Sequence, residues 1–184
     1  RGLKVDLDGF NSLMEEARDR ARAGGRFGAA ADELKLPPDA LAKLKHLGVA
    51  PTDDRDKFHA RDIRARVMAI WNGKDFDEHA SGDTAGMKPV GIILDKSNFY
   101  AEMGGQVGDQ GRLVVSREAM TSARRHDDNH VGAEFRADDA RVFAGFVMHI
   151  GRITSREIRV GDEVIVSLDQ PRREAVSANH TATH

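Results

Sequence analysis

A change in hydrophobic period near residue 58 limits the fold of this chain more than any other feature. Apolar Ile63, Ala65, Val67 and Trp71 alternate along the chain, which is the period of a half-buried strand, and Asn72-Gly73 is a hairpin signal. Five further short segments are predicted as strands: Val90–Leu94, Arg112–Val115, Val131–Arg136, Val142–Met148 and Glu163–Leu168. No long helix is predicted between these strands. Six short strands joined by turns predict a small barrel, which removes the exposed edges of a sheet.

Helical periodicity frames this region on both sides. Apolar residues recur at steps of three and four between Phe10 and Ala21, Asp8 is a plausible N-cap, and Gly24-Gly25 ends the predicted helix. A second helix is predicted from Pro38 to Leu47, and the pattern turns helical again after Asp169. The predicted class is therefore α+β, divided into a helical segment (1–57), a barrel (58–169) and the start of another helical unit (170–184). Trp71, Phe143 and Phe146 are candidates for the barrel core.

Composition excludes several classes of protein. With no Cys among 184 residues, a disulfide scaffold, a zinc ribbon and a Cys nucleophile are excluded. Lys and Arg number 28 against 30 Asp and Glu, so no polybasic arm or membrane anchor is expected. No apolar run approaches the roughly 20 residues of a membrane helix. The chain starts without Met, and both ends are predicted to lie within a longer protein.

Two histidines close the chain. His180 and His184 are four residues apart, so a helix would carry both imidazoles on one face, one turn apart. That spacing suits two ligands of one Zn²⁺, and Asn179 is placed to cap such a helix. A chance pattern or a terminal tag is the alternative. Without a Cys or any later residue, only half of a zinc site is present.

A glycine-rich stretch lies between the predicted strands Val90–Leu94 and Arg112–Val115. Four glycines fall between Gly104 and Gly111, in the sequence GGQVGDQG. Glycine would let this backbone approach a phosphate or another chain closely, because it has no Cβ. The alternative is a tight loop whose glycines supply positive φ, expected at Gly104, Gly105 or Gly111.

Other polar residues offer weaker candidates. Arg172-Arg173 could contact phosphates, or could simply cover an exposed helix face. His149 is expected at the barrel rim with a satisfied hydrogen bond. Ser97 has no surrounding nucleophile-elbow motif. One Trp and one Tyr argue against an aromatic platform for single-stranded nucleic acid.

In their order along the chain, these segments resemble the alanyl-tRNA synthetase family. The resemblance is carried by Arg1–Gly24, Val90–Leu113, Val147–Ile153 and Ile158–His184. It implies a helical entry from the aminoacylation module, a barrel similar to those of translation factors, and the first helix of an editing domain. The family's zinc motif falls on His180 and His184. Its glycine-rich motif falls on Gly104, Gly105, Gln106, Asp109 and Gly111. Met103 and Ala17 depart from the family pattern, outside the zinc motif.

The resemblance also implies a function and partners. The parent enzyme would attach alanine to tRNA(Ala) with ATP and Mg²⁺, and would edit mischarged seryl- and glycyl-tRNA in the cytoplasm. The ATP-binding residues and the remaining zinc ligands would lie outside this chain, so none of its residues is assigned to catalysis or nucleotide binding, and the chain alone is expected to be inactive. Two alternatives stay open: a free-standing alanyl-tRNA editing deacylase, and a non-enzymatic barrel that binds RNA or protein.

Overall fold

The computed structural model describes residues 34–82, 88–101, 108–116 and 132–174. The predicted helix beginning at Asp8 and the terminal histidine pair lie outside these residues. Within them, a closed barrel of antiparallel strands dominates the fold, accompanied by the α-helix Pro38–His46 (α1), a 3-10 turn at Arg55–Phe58, and a short helical stretch over residues 170–174. The predicted α+β class is confirmed. The division at residues 57 and 169 stays a prediction.

Six strands form the barrel, as predicted. They are β1 (Ile63–Trp71), β4 (Val90–Leu94), β5 (Gly111–Val115), β6 (Glu134–Phe143), β7 (Phe146–Ser155) and β9 (Glu163–Leu168). Their order is β1-β4-β7-β6-β5-β9, and β9 pairs back with β1 to close the sheet. Closure leaves no long unpaired edge among these strands, which is the physical advantage of a barrel over an open sheet.

Three short strands complete the sheets. β2 (Phe76–Asp77) continues the barrel sheet as a hairpin from β1, and β3 (His79–Ser81) pairs with β8 (Glu157–Arg159). The β1–β2 turn lies at the predicted Asn72-Gly73. There the side-chain carbonyl of Asn72 accepts hydrogen bonds from the backbone N–H groups of Lys74 and Asp75, each 2.8 Å long.

The strand predicted over Val142–Met148 is wrong, because a turn divides it. β6 ends at Phe143 and β7 begins at Phe146, with Ala144 (φ 49°) and Gly145 (φ 88°) between them. Positive φ at both central residues is the geometry of a two-residue hairpin loop. The apolar run Phe-Ala-Gly-Phe contains a single glycine and no polar residue, so its composition conceals the turn.

The barrel interior holds one hydrophobic cluster, and the outside of the barrel holds a second. Leu34, Leu36, Ala40 and Leu44 of the N-terminal segment pack on the outer face of β1, β4 and β7. Trp71 and Phe146, which were expected in the barrel core, are buried in this outer cluster, and Phe143 packs against it. A β-bulge between Val67 and Ala69 turns the far end of β1 so that Ala69 and Trp71 face the helix.

None of the helices among the described residues is long and apolar enough to cross a membrane.

Candidate functional site

Of the nine residues that the sequence analysis assigned to the zinc pair, the glycine-rich motif and the arginine pair, the structure describes four. Asp109, Gly111, Arg172 and Arg173 are described, whereas Gly104, Gly105, Gln106, His180 and His184 lie outside the described residues. Gly111 begins β5, and Asp109 lies just before it. The two arginines lie in a helical stretch, residues 170–174, that follows β9. The structure brings these two sequence segments together.

Asp109 is held by two contacts on one carboxylate oxygen. Its Oδ2 accepts a hydrogen bond of 2.7 Å from the backbone N–H of Tyr100 and lies 3.0 Å from a guanidinium nitrogen of Arg173. The backbone N–H of Asp109 donates in turn to the carbonyl of Tyr100, at 2.9 Å. The two sides of the glycine-rich stretch are therefore joined at its base, where residues 100 and 109 face each other.

Arg173 reaches three segments of the chain. Its guanidinium contacts the carboxylate of Asp109 and donates to the carbonyl oxygen of Lys57. Its backbone belongs to the helical stretch that Asp169 caps. The side chain of Asp169 accepts from the N–H of Arg172 at 3.1 Å, and its carbonyl accepts from the N–H of Arg173. The side chain of Arg173 is only 19% exposed and that of Asp109 is 11% exposed. This ion pair is thus shielded from water more than an ordinary surface pair.

Further hydrogen bonds fasten the same segments. The N–H of Asp169 donates to the carbonyl of Gln110 at 2.8 Å, and the side-chain amide of Gln170 donates to the carbonyl of Ala60 at 2.8 Å. The side-chain amide of Gln110 donates to the carbonyl of Asp138, also at 2.8 Å. The chain leaving β9 is therefore attached to the base of the glycine-rich stretch and to the segment that enters β1.

At the base of the glycine-rich stretch, glycine is required because the backbone lies very close to neighbouring strands, and not because φ is positive. Gly111 has no positive φ, so the expectation of a left-handed conformation is wrong at this position. A Cβ on Gly111 would overlap the carbonyl oxygen of Ser167 in β9 and lie 2.8 Å from the ring of Phe99. A Cβ on Gly108 would lie 2.8 Å from the carbonyl oxygen of Ala140. The backbone here is pressed against the barrel's own strands.

The surroundings of Asp109 have opposing effects on its pKa. Burial raises the pKa of Asp109, while the Tyr100 N–H and the two arginines, Arg173 and Arg172, oppose the rise. Burial has the larger effect on the pKa. The carboxylate therefore depends on its donors for its charge, and losing Arg173 would leave a poorly solvated anion.

Sequence reasoning missed a buried polar pair inside the barrel. Ser97 and His149 are both fully buried, with 2.9 Å between Ser97 Oγ and His149 Nε2. His149 Nδ1 lies 3.1 Å from the carbonyl of Ile92, which can only accept, so Nδ1 carries the proton and Nε2 accepts from the Ser97 hydroxyl. Ser97 Oγ in turn accepts from the N–H of Phe99 at 3.1 Å. His149 is thus inside the barrel, and the expected rim position is wrong, although its hydrogen bonds are satisfied.

Ser97 and His149 resemble a nucleophile and a general base in residue type, but they are buried in the barrel and not in an accessible site. Burial lowers the pKa of His149 to about 4, with the hydrogen bond to Ile92 opposing the change, so the imidazole is neutral near pH 7. Neither side chain is exposed to solvent, and the ring of Phe99 lies edge-on to the imidazole with 4.9 Å between ring centres. A substrate has no access to either group. The pair fixes the chain from β4 to Phe99, which leads into the glycine-rich stretch.

Within the ranges that the structure describes, no group of three or more His, Asp or Glu side chains is arranged to hold a metal ion. The predicted ligands His180 and His184 are outside those ranges. The contacts around Asp109 and Arg173 make the described site a joint between segments of the chain.

A protein-family model matches nearly the whole chain. Residues 1–172 match the family model described as tRNA synthetases class II (A). The match extends from the first residue through the barrel to the start of the helical stretch after β9.

Individual relatives match over the whole chain. It is 36% identical over 186 residues to a cytoplasmic alanine–tRNA ligase of Dictyostelium discoideum and covers 18% of that protein. It is 33% identical over 184 residues to a mitochondrial alanine–tRNA ligase of Saccharomyces cerevisiae, covering 17% of it. It is 35% identical over 187 residues to an alanine–tRNA ligase of Xanthomonas campestris pv. campestris, covering 18% of it. In each case 100% of this chain is aligned. The chain thus spans less than a fifth of the length of the curated relatives it matches.

Proposed function

The chain belongs to the class II tRNA synthetase family that the matched alanine–tRNA ligases represent, and from this we propose that it is a segment of an alanine–tRNA ligase. The whole ligase would attach alanine to tRNA(Ala) with ATP and Mg²⁺, and would act in the cytoplasm. The segment would connect the aminoacylation module to an editing domain that hydrolyses mischarged seryl- and glycyl-tRNA.

One observation carries the proposal: ligases from a slime mould, a yeast and a bacterium align with every part of this chain at 33–36% identity. The alignment includes the residues ahead of the barrel, where the sequence predicts a helix that a free-standing editing deacylase would not need. A non-enzymatic barrel would not account for a synthetase family model that extends over residues 1–172.

The described contacts support a connecting role. A connector must fix the direction in which the chain enters and leaves it. Arg173 bonds Lys57, which precedes β1, and Asp109 at the base of the glycine-rich stretch. The chain before β1 and the chain after β9 are thereby tied to each other at one end of the barrel. An editing domain that follows would take its orientation from this joint.

We assign His180 and His184 to zinc as the first two ligands of the editing site. Two neutral imidazoles suit Zn²⁺, and a catalytic zinc supplies an activated water for ester hydrolysis. This chain would contribute these two donors, and the remaining ligands would come from the rest of the ligase. ATP and Mg²⁺ would be bound entirely outside this chain.

An alanylation assay tests the proposal. The longer ligase that contains this chain should form alanyl-tRNA(Ala) from alanine, ATP and tRNA(Ala), with seryl-tRNA(Ala) hydrolysis as a second activity. The 184-residue chain alone should do neither. Alanylation or deacylation by the isolated chain would contradict the proposal, as would a longer protein that charges tRNA with a different amino acid.

A further inference from the structure

A phenylalanine ring is exposed to solvent beside the point where the chain leaves the barrel. Among the residues that the structure describes, three large apolar side chains are exposed: Leu47, Phe58 and Val142. Phe58 is the most exposed of them, at 75%, and it ends the 3-10 turn that precedes β1. The carbonyl of its neighbour Lys57 accepts the hydrogen bond from Arg173, in the helical stretch after β9. The ring therefore lies next to the outgoing chain.

The backbone around Phe58 is held on both sides. The N–H of His59 donates to the carbonyl of Asp56 at 2.9 Å, and the carboxylate of Asp56 lies 2.7 Å from the guanidinium of Arg61. The carbonyl of Arg61 accepts a hydrogen bond of 2.7 Å from the side-chain amide of Asn98, which is fully buried. A ring whose backbone is already fixed loses little further freedom when a partner covers it, and this favours an interface anchor.

Exposure of the Phe58 ring is unfavourable for this chain by itself. An aromatic side chain contributes a large apolar area, and leaving that area in water forgoes the free energy of burial. Neither of the two hydrophobic clusters of the barrel contains Phe58. The ammonium of Lys57 lies 5.5 Å from the ring centre and covers part of one face only. A partner with an apolar surface would recover the free energy of burial.

The path of the chain indicates which part of the ligase covers the ring. Leu34 lies at the far end of β1, where its Cδ is 3.3 Å from the position that a Cβ on Gly73 would take. Phe58 precedes Ile63, the first residue of β1, and the nine residues of that strand separate the two places. Sequence ahead of Leu34 therefore arrives away from Phe58, whereas sequence after Glu174 starts beside it. The chain covers only 17–18% of the matched ligases, so a ligase has enough further sequence for a domain there.

We propose that Phe58 is a docking anchor inside the ligase, and that the domain following this chain packs an apolar surface against its ring. The inference rests on the proposed function, which puts an editing domain after this chain. The joint between Asp109 and Arg173 directs the outgoing chain, and the docking anchor would hold the following domain at a second point. Two points of attachment define an orientation that one connection does not.

The test compares Phe58→Ser in two proteins, this 184-residue chain and the longer ligase. In the chain the ring is exposed, so its loss should change the melting temperature by less than about 2 °C. In the ligase the same change removes the anchor and should lower the unfolding temperature of the following domain by about 4 °C or more. Limited proteolysis of the ligase between Glu174 and that domain should become at least about tenfold faster, because undocking exposes the connection.

Two further variants and one further measurement separate docking from other effects. Phe58→Leu keeps an apolar side chain and should retain most of the wild-type resistance to proteolysis in the ligase. Leu47→Ser removes another exposed apolar side chain, from the segment after α1, and should leave both readouts in the ligase unchanged. Sedimentation of the wild-type ligase and of Phe58→Ser over a range of concentrations shows whether the ring instead joins two copies.

The outcomes are distinct from those that test the ligase assignment. Faster proteolysis and a lower unfolding temperature in the Phe58→Ser ligase, with the 184-residue chain and the Leu47→Ser ligase unaffected, support the inference. Unchanged readouts in the ligase, an equal loss of stability in the isolated chain, equal effects of Leu47→Ser, or a ligase dimer that Phe58→Ser separates would overturn it. Neither readout depends on tRNA charging. A longer protein that docks through Phe58 without alanylating tRNA would refute the proposed function and leave this inference standing.

Discussion

Arg173, in the helical stretch after β9, lies 3.0 Å from the carboxylate of Asp109, at the base of the glycine-rich stretch. The same guanidinium donates to the carbonyl of Lys57 ahead of β1, and the same carboxylate accepts from the N–H of Tyr100. Four separate parts of the chain therefore meet at one half-buried ion pair. The pair fixes the end of the barrel at which the chain both enters and leaves.

Removing one partner of this pair should destabilise the chain. Arg173→Gln leaves the poorly solvated carboxylate of Asp109 without its cation and should lower the free energy of unfolding by about 2 kcal/mol, measured by urea denaturation. Asp109→Asn combined with Arg173→Gln should cost less than the sum of the single changes. The exposed pair Lys43–Asp75, with side chains 50% and 60% exposed, is the matched control, and Lys43→Gln should change the free energy of unfolding far less than Arg173→Gln does. Equal effects at the two pairs would contradict the account.

Gly111 and Gly48 should respond differently to alanine. Gly111→Ala places a Cβ against the backbone of β9, which cannot move without disturbing the barrel, and should cost about 3 kcal/mol or more. Gly48 has a φ of +72° and open space around it, so Gly48→Ala should cost only about 1 kcal/mol from backbone strain. Thermal or urea unfolding of both variants measures the difference. A tolerated Gly111→Ala would mean that the contact with Ser167 is absent in solution.

Acid should destabilise the barrel through His149. The folded state lowers the pKa of His149 from 6.5 to about 4, so the unfolded chain binds its proton first as the pH falls. Stability from this group is fully present above pH 6.5, is lost progressively below it, and is gone near pH 4, a loss of roughly 3 kcal/mol. Urea midpoints between pH 8 and pH 4 measure this. His149→Gln should flatten the profile in that window, and an equally steep profile in the variant would assign the acid sensitivity to other groups.

Much of the barrel could be predicted because the sequence patterns of its strands and turns depend on residues that are close together in the chain. Alternating apolar residues in β1 and the turn at Asn72 depend on neighbours in sequence, and both were found. The β6–β7 turn was missed because an apolar residue, Ala144, takes a positive φ there, which only the pairing of the two long strands enforces. Trp71 was assigned to the wrong side of the sheet because a bulge changes which face its strand presents.

The candidate site could be predicted in its residue types but not in its contacts. The glycine-rich motif and the arginine pair are both visible in sequence, yet nothing local indicates that Asp109 and Arg173 meet, since barrel closure brings them together. His149 could not be recognised as an interior residue because a polar side chain in an alternating strand normally faces water. Its partner Ser97 belongs to a different part of the chain, so the satisfied pair is visible only in three dimensions.

Zinc binding by the isolated chain should be weak. Two histidines supply half of a tetrahedral site, so titration of the chain with Zn²⁺ should give a Kd weaker than about 1 μM. His180→Ala should remove this binding and leave the melting temperature of the barrel unchanged. Nanomolar zinc binding, or a lower melting temperature in His180→Ala, would show that further ligands lie within this chain and that the half-site assignment is wrong.

The most direct test of the account compares two activities of the longer ligase after one substitution in this chain. Alanylation of tRNA(Ala) and hydrolysis of seryl-tRNA(Ala) are measured side by side for the wild type and for His180→Ala. The account predicts unchanged alanylation and a loss of hydrolysis of at least about 100-fold, since even residues that only support metal ligands contribute 10–100-fold. Loss of both activities, or hydrolysis that survives the substitution, would contradict the assignment of this chain as the connection between a ligase module and a zinc-dependent editing site.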